Sequence, residues 1–112
     1  MGLEWVKRQI RDKIGFEPYV GTLNLKMDEE HLSKYYSYLQ SRKGILIEPV
    51  DGSYYAGKCH RIRINNRVDG AIVVPLVPNY PRDQIEIIAP VNLREALGLV
   101  DGSEITIELL DR

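Results

Sequence analysis

The sequence predicts a mainly β domain of the α+β kind, a small barrel or sandwich carrying short helices. Three observations predict it. Ahead of Gly44 the apolar residues recur at spacings of three and four, whereas from Gly44 onward they recur at every second residue. The later half also breaks into short apolar runs, separated by Asp-Gly, Asn-Asn and proline-containing turn signals at intervals of roughly 8–15 residues. Finally, 112 residues, 44% of them hydrophobic and 28% charged, suffice for one domain with its own core and are too few for two.

Each element follows from its residues. Leu3, Val6, Ile10 and Ile14 make one apolar helix face with Lys7, Arg8, Arg11 and Asp12 between them, and Gly15 is the stop. Pro18 and Gly21 mark a turn, after which Thr22-Leu23-Asn24-Leu25 alternates as a strand does. Asp28 can cap a second helix, with Leu32, Tyr35, Tyr36 and Leu39 as its inner stripe, up to about Gln40. Ile45-Leu46-Ile47 starts the β half. Asp51-Gly52 is a hairpin signal, and Ser53 to Gly57 begins the return. Lys58 to Ile64 alternates, Asn65-Asn66 turns, and Val68 to Val74 is a strand in which Asp69-Gly70 signals a bulge or a close approach. Pro75, Pro78 and Pro81 punctuate a loop ahead of the strand Ile85 to Ile88. Asn92 caps a short helix, Leu93 to Leu97, which Gly98 closes; Asp101-Gly102 turns into a final strand, Glu104 to Leu110.

Composition narrows the function. Fifteen Lys and Arg against 16 Asp and Glu give a net charge of -1, which offers a phosphate backbone no general attraction and disfavours nucleic acid as a partner. The single cysteine, Cys59, excludes an internal disulfide and a Cys-based zinc site and reads as a small buried apolar residue. The charged residues that follow Trp5-Val6 do not resemble a signal peptide, and no apolar run reaches the roughly 20 residues of a membrane span, so no membrane association and a cytoplasmic address are expected. His31 and His60 show no metal-ligand spacing. Cys59 and His60, adjacent on a strand, face opposite sides and cannot form a dyad. Phosphate-loop, dinucleotide-binding, zinc-protease and nucleophile-elbow motifs are absent.

Three segments carry chemistry. Thr22 and Asn24 put a hydroxyl and an amide oxygen on one face, donors that suit a hard cation such as Mg²⁺, although Thr and Asn in a turn also bond their own backbone. Glu86 is a carboxylate among Ile85, Ile87 and Ile88, either a solvated outer-face residue or an acceptor for a ligand N–H. Ala89 to Arg94 sets a helix start beside a cation, an anion or nucleotide-edge site or else a simple capped helix.

In order and spacing, GFEPYVGTLNLK at Gly15 to Lys26, DGAIVVP at Asp69 to Pro75 and NYPRDQIEIIAPVNLREALGLVDGSEITIEL at Asn79 to Leu109 resemble the archaeal CTP-dependent riboflavin kinase family. The resemblance implies a six-stranded cradle-loop (RIFT-like) β-barrel and transfer of the CTP γ-phosphoryl to the 5'-hydroxyl of riboflavin, giving FMN and CDP. Position by position, it implies Thr22 and Asn24 as Mg²⁺ ligands and Glu86 as the carboxylate that meets the isoalloxazine edge. It also implies Val91, Asn92, Leu93, Arg94, Glu95 and Ala96 as the segment that holds the nucleotide. No general base is assigned. The family commonly has Thr, a flavin-side contact, where this chain has Pro78, so that contact is either lost or replaced by Asn79 or Tyr80. Family members also carry a strand and a glycine-rich loop ahead of the first helix. This chain opens at Met1-Gly2 on the helix itself, and a barrel read from it lacks that first strand: either the chain is a shortened form, or a partner chain completes the sheet, or nucleotide turnover has been given up.

Two further readings stay open. One is a catalytically inactive relative that keeps flavin or nucleotide affinity. The other is a DNA-binding module, because NLREALGLVDGSEITIEL also resembles the helix-and-hairpin half of swapped-hairpin transcription factors; its local support is the basic cluster Lys7, Arg8, Arg11 and Lys13.

Overall fold

The computed structural model describes residues 3–49, 52, 54–81 and 83–110. Helix α1 (Glu4–Gln9) runs into a wider π-helical turn, Ile10–Ile14, in which Gly15 N donates to Ile10 O at 3.0 Å. Gly15 then ends it in the left-handed region at φ 104°, where the lack of a Cβ removes the steric cost. Strand β1 (Leu23–Lys26) leads to α2 (Glu29–Gln40), followed by β2 (Ile45–Ile47), β3 (Gly57–Ile64), β4 (Val68–Pro75), β5 (Gln84–Ile88), α3 (Leu93–Leu97) and β6 (Ile107–Leu109). No helix among the described residues is long and apolar enough to cross a membrane. Of the expected turn and return after β2, Asp51 and Ser53 lie outside the described residues, as do Met1 and Gly2.

The strands form one antiparallel sheet in the order β1-β5-β4-β3-β2, with β6 also on β3. β4 occupies one whole edge of β3. The opposite edge is shared by β2, against Gly57 to Cys59, and β6, against Ile62 to Ile64. One long strand with two successive partners is how a sheet curls toward a barrel, and this one makes a curled half-barrel. Alternation gives each face its own core. Leu23, Ile62, Ile64, Ile72, Ile85, Ile87 and Leu93 fill the face beneath α2, where Tyr35 packs. Cys59, Ala71 and Ile88 point the other way, against Ile10 and Ile14 of the first helix. Arg61, on this second face, donates to Lys13 O and Ile14 O at 3.0 Å each and so satisfies carbonyls at the helix end.

Most expected elements form where their residues place them. Asn65 and Asn66 take φ of 51° and 55°, the paired left-handed geometry of a tight hairpin, closed by Arg67 N donating to Ile64 O at 2.9 Å. At Asp69-Gly70 the β3–β4 register runs without a bulge, so the close approach holds: a Cβ on Gly70 would stand 2.5 Å from Ile88 O. The last strand is shorter than the expected Glu104 to Leu110. β3 ends at Ile64, and Asn65 takes over Thr106, accepting from Thr106 N at its Oδ1 and donating its own N–H to Thr106 O, each at 2.8 Å. Residues 104–106 therefore have no strand left to pair with.

Asp28 caps α2 as expected, accepting from His31 N at 3.1 Å, and the same oxygen meets His31 Nδ1 at 2.7 Å. That hydrogen bond, and then the charge of Asp28, hold the imidazole pKa above its ordinary value. Asp28→Asn, which keeps a capping oxygen and removes the charge, is expected to lower the His31 midpoint in an NMR titration toward that of a free imidazole. An unchanged midpoint would mean that the pair does not persist in solution.

Candidate functional site

The site begins with the segment leading into β1. Pro18 is buried, and Tyr19 N donates to Ala89 O at 2.8 Å, which ties this segment to the one following β5. Across the same junction Asn92 Nδ2 donates to Tyr19 Oη at 3.3 Å. A cavity of about 150 Å³ results, lined by Tyr19, Gly21, Thr22 and Leu23 on one side and by Val91, Asn92, Leu93 and Arg94 on the other. A second cleft, of about 350 Å³, shares Leu23 and Arg94 with it and is lined by Asn24 and Lys26 together with the turn around Asp101 and Gly102.

Thr22 is half-buried and Asn24 exposed, with the apolar Leu23 buried between them on the opposite face. The register sets Asn24 opposite Glu86, so the amide and the carboxylate share one face of the sheet. Gln84, on that face too, aims its Nε2 at Asn24 Oδ1 from 3.5 Å. This is the face that carries Ile88 and the first helix. The polar residues occupy the part of it beyond the helix-covered core.

α3 starts as expected, with Asn92 Oδ1 accepting from Glu95 N at 3.3 Å. That bond and Ala96 N donating to Asn92 O at 2.9 Å engage the backbone donors of Glu95 and Ala96, whose side chains lie on the solvent side outside the cavity lining. Leu93 is buried in the core beneath α2 and anchors the segment. Arg94 is exposed, with Nη1 3.3 Å from Asp101 Oδ1 across the mouth of the larger cleft.

The β4–β5 loop places the remaining residues. Pro78 presets the first central position of a turn and Asn79 takes the second at φ 63°, with Tyr80 N donating to Val77 O at 3.3 Å. Asn79 is exposed. The hydroxyl of Tyr80 is buried, and Glu86 and Gln84 are its polar neighbours; burial first, and then the charge of Glu86, hold the phenol pKa above its ordinary value.

Other candidates resolve into structural roles. Cys59 is fully buried, and burial pushes its thiol up to about 12, so it is an inert core residue. His60 lies on the opposite sheet face, buried, its pKa lowered by desolvation and then by Lys58. Asp28, Glu30 and His31 converge, but all three are exposed and the group is the α2 cap. Within the basic cluster, Lys13 Nζ donates to Leu46 O at 2.8 Å and Arg11 pairs with Glu17 at 3.4 Å, which takes two of its four charges out of a free DNA-binding face. Sequence reasoning missed Tyr19 and Gln84. Their roles come from partners in distant segments, and nothing local announces them.

Fold and clefts together define the class: a curled antiparallel half-barrel of the α+β type, with ligand-sized recesses where the segment leading into β1 meets that leading into α3. Residues 1–109 match the model of the CTP-dependent riboflavin kinases, a family described as Domain of unknown function DUF120, and the chain belongs to that family. It is similar to riboflavin kinase of Pyrobaculum arsenaticum, 42% identical over 98% of this chain and 53% of the relative. It is similar as well to riboflavin kinase of Archaeoglobus fulgidus, at 40% over 98% of this chain and 48% of the relative, and of Saccharolobus solfataricus, at 35% over 97% and 64%. The chain thus spans about half the length of the first two and somewhat more of the third.

Thr22 and Asn24 fit a divalent cation by the chemistry of their donors. Both offer neutral, hard oxygens, Thr22 from the residue just ahead of β1 and Asn24 from within it, an incomplete set of the kind that suits an ion keeping water and phosphate oxygens as its other ligands. Neither side chain is drawn into the core, and Asn24 Oδ1 has only the long contact from Gln84.

Proposed function

We propose that this chain is a riboflavin kinase domain that uses CTP, transferring the γ-phosphoryl to the 5'-hydroxyl of riboflavin and releasing FMN and CDP. One observation carries the reading. Thr22 and the segment Val91 to Arg94, some 70 residues apart, line a single cavity, and they are the positions at which the family resemblance implies the metal and the nucleotide.

In this reading Thr22 and Asn24 hold Mg²⁺, which supplies positive charge to neutralise the phosphate oxygens. Arg94 adds a second positive charge, and its guanidinium can exchange the exposed Asp101 for a phosphate. Of the segment Val91 to Ala96, Val91 to Arg94 meet the cytidine nucleotide and buried Leu93 fixes where they sit, while Glu95 and Ala96 close the α3 cap behind them. Glu86 accepts a hydrogen bond from the isoalloxazine edge, with Asn79 and Tyr80 on the flavin side. Because Asn24 and Glu86 are cross-strand partners, the same two strands carry the metal ligand and the flavin acceptor, which sets the two substrates side by side. Such a reaction asks for positioning and charge neutralisation rather than a covalent nucleophile.

The test is incubation of the chain with riboflavin, Mg²⁺ and either CTP or ATP, followed by chromatographic separation of FMN from riboflavin. FMN with CTP and none with ATP is the expected result. Riboflavin fluorescence quenched by the protein without FMN would instead favour the inactive flavin-binding relative. In the active protein, Arg94→Ala is expected to raise the KM for CTP about tenfold or more and leave that for riboflavin within about twofold, as loss of a charge-assisted hydrogen bond to phosphate should. Equal changes for both substrates would remove Arg94 from the nucleotide site.

A further inference from the structure

We propose that an apolar cavity between the first helix and the β3–β4 pair receives the dimethylbenzene end of the isoalloxazine, the end opposite the imide edge that meets Glu86. This deepens the flavin reading above and rests on it.

The cavity is separate from the two clefts described above. It measures about 150 Å³ and is walled by Trp5, Val6 and Ile10 of the first helix, by Tyr55 ahead of β3, and by Val73 and Pro75 of β4. Its walls are almost wholly carbon. An apolar cavity of about 150 Å³ stays dry and takes a benzene-sized ring, so it suits one end of a three-ring heterocycle rather than the whole. The mouth is aromatic. Tyr55 is exposed, and Tyr54, exposed as well, meets Trp5 with ring centroids 5.4 Å apart. Exposed aromatic side chains beside an apolar recess suit a planar partner.

Strand register says which partner. Val73 pairs with Glu86 on one side and with Cys59 on the other, so the proposed imide acceptor and the cavity lie on one sheet face, along one line across the strands. From β5 to β3 is two strand spacings, about 10 Å, which is about the span of an isoalloxazine from its imide N–H to its ring methyls. A flavin anchored at Glu86 and laid across β4 therefore brings its dimethylbenzene end to the cavity. Trp5 gives a second reason. Its Nε1–H is buried with no hydrogen-bond partner among the described residues, a donor that folded proteins seldom leave open. The isoalloxazine carries an acceptor nitrogen, N5, bonded directly to the dimethylbenzene ring.

The experiment compares riboflavin with 7,8-didemethylriboflavin, which lacks both ring methyls, by quenching of flavin fluorescence. It uses the wild-type chain and Ala56→Leu, whose longer side chain fills the cavity from its wall, with a thermal melt of each protein. The wild-type chain should bind riboflavin about tenfold more tightly than the demethylated flavin, the worth of two buried methyl groups. Ala56→Leu should lose that preference and bind riboflavin about tenfold more weakly, while melting as the wild type does. Equal affinity of the wild-type chain for the two flavins overturns the proposal with the flavin site intact, and this comparison needs no variant to fold. A folded Ala56→Leu that still prefers the methylated flavin overturns it as well, because the methyls then sit elsewhere. No quenching of either flavin by the wild-type chain overturns the flavin reading itself, and the proposal with it.

Discussion

Asn24→Ala is expected to lower Mg²⁺-dependent FMN formation by about 100-fold or more while riboflavin still quenches on binding. Loss of a mere supporting partner of a metal ligand commonly costs roughly 10–100-fold, and Asn24 is proposed as a ligand itself. The two readouts separate because the amide and the proposed flavin acceptor, Glu86, sit on different strands. Removing the Asn24 side chain from β1 leaves β5 and its loop in place. Asn24 is exposed and its contact with Gln84 is long, so the fold should change in stability by no more than about 0.5 kcal/mol. Rate against Mg²⁺ concentration is the deciding measurement. A variant that turns over normally would show that the metal is held elsewhere, and one that recovers at high Mg²⁺ would show that Asn24 sets affinity for the ion.

The largest effect on the fold is expected at Gly70. Its position in β4 brings a would-be Cβ to 2.5 Å from Ile88 O, with Ala89 Cβ and Ile64 Cδ1 both at 3.4 Å. A backbone carbonyl at the paired end of a strand cannot move aside as a flexible side chain would, so Gly70→Ala must push the end of β5 away from β4. Overpacking of this kind costs about 1–3 kcal/mol. With a urea slope of about 1.5 kcal/mol per M, that lowers the unfolding midpoint by roughly 0.7–2 M. Gly57→Ala is the control. On β3 its Cβ would meet only ordinary contacts, 3.5 Å from Val74 O, and the midpoint should hardly move. The Gly70 change should reach the site too, since Ala89 O, one residue beyond the clash, anchors Tyr19. Similar midpoints for the two variants would mean that the approach of β5 to β4 is looser than the structure has it.

Much of the architecture was legible because its signals are local. The period-two run of β3, the Asn65-Asn66 turn and the Asp28 and Asn92 caps each depend on residues within a few positions of one another, and each forms where the sequence places it. Glycine at 70 was legible as an anomaly, but whether it served a bulge or a close approach depended on β5, which joins from elsewhere in the chain. The length of β6 was not legible. Its residues alternate through Leu110, yet a strand extends only as far as its partner does, and β3 stops at Ile64.

The same division runs through the site. Local sequence was sufficient to mark Thr22, Asn24, Glu86 and the segment around Arg94 as groups with chemistry to offer, because donor type and spacing are properties of the chain itself. What tertiary structure decided is which of them meet. Antiparallel pairing of β1 with β5 sets Asn24 across from Glu86, the Tyr19 bonds to Ala89 and Asn92 fold Thr22 toward Val91 and Arg94, and the β4–β5 loop brings the Tyr80 phenol beside the Glu86 carboxylate. These are relations between segments tens of residues apart. They are fixed by strand register and by the closing of loops, which depend on the packing of the whole sheet rather than on the residues at either end.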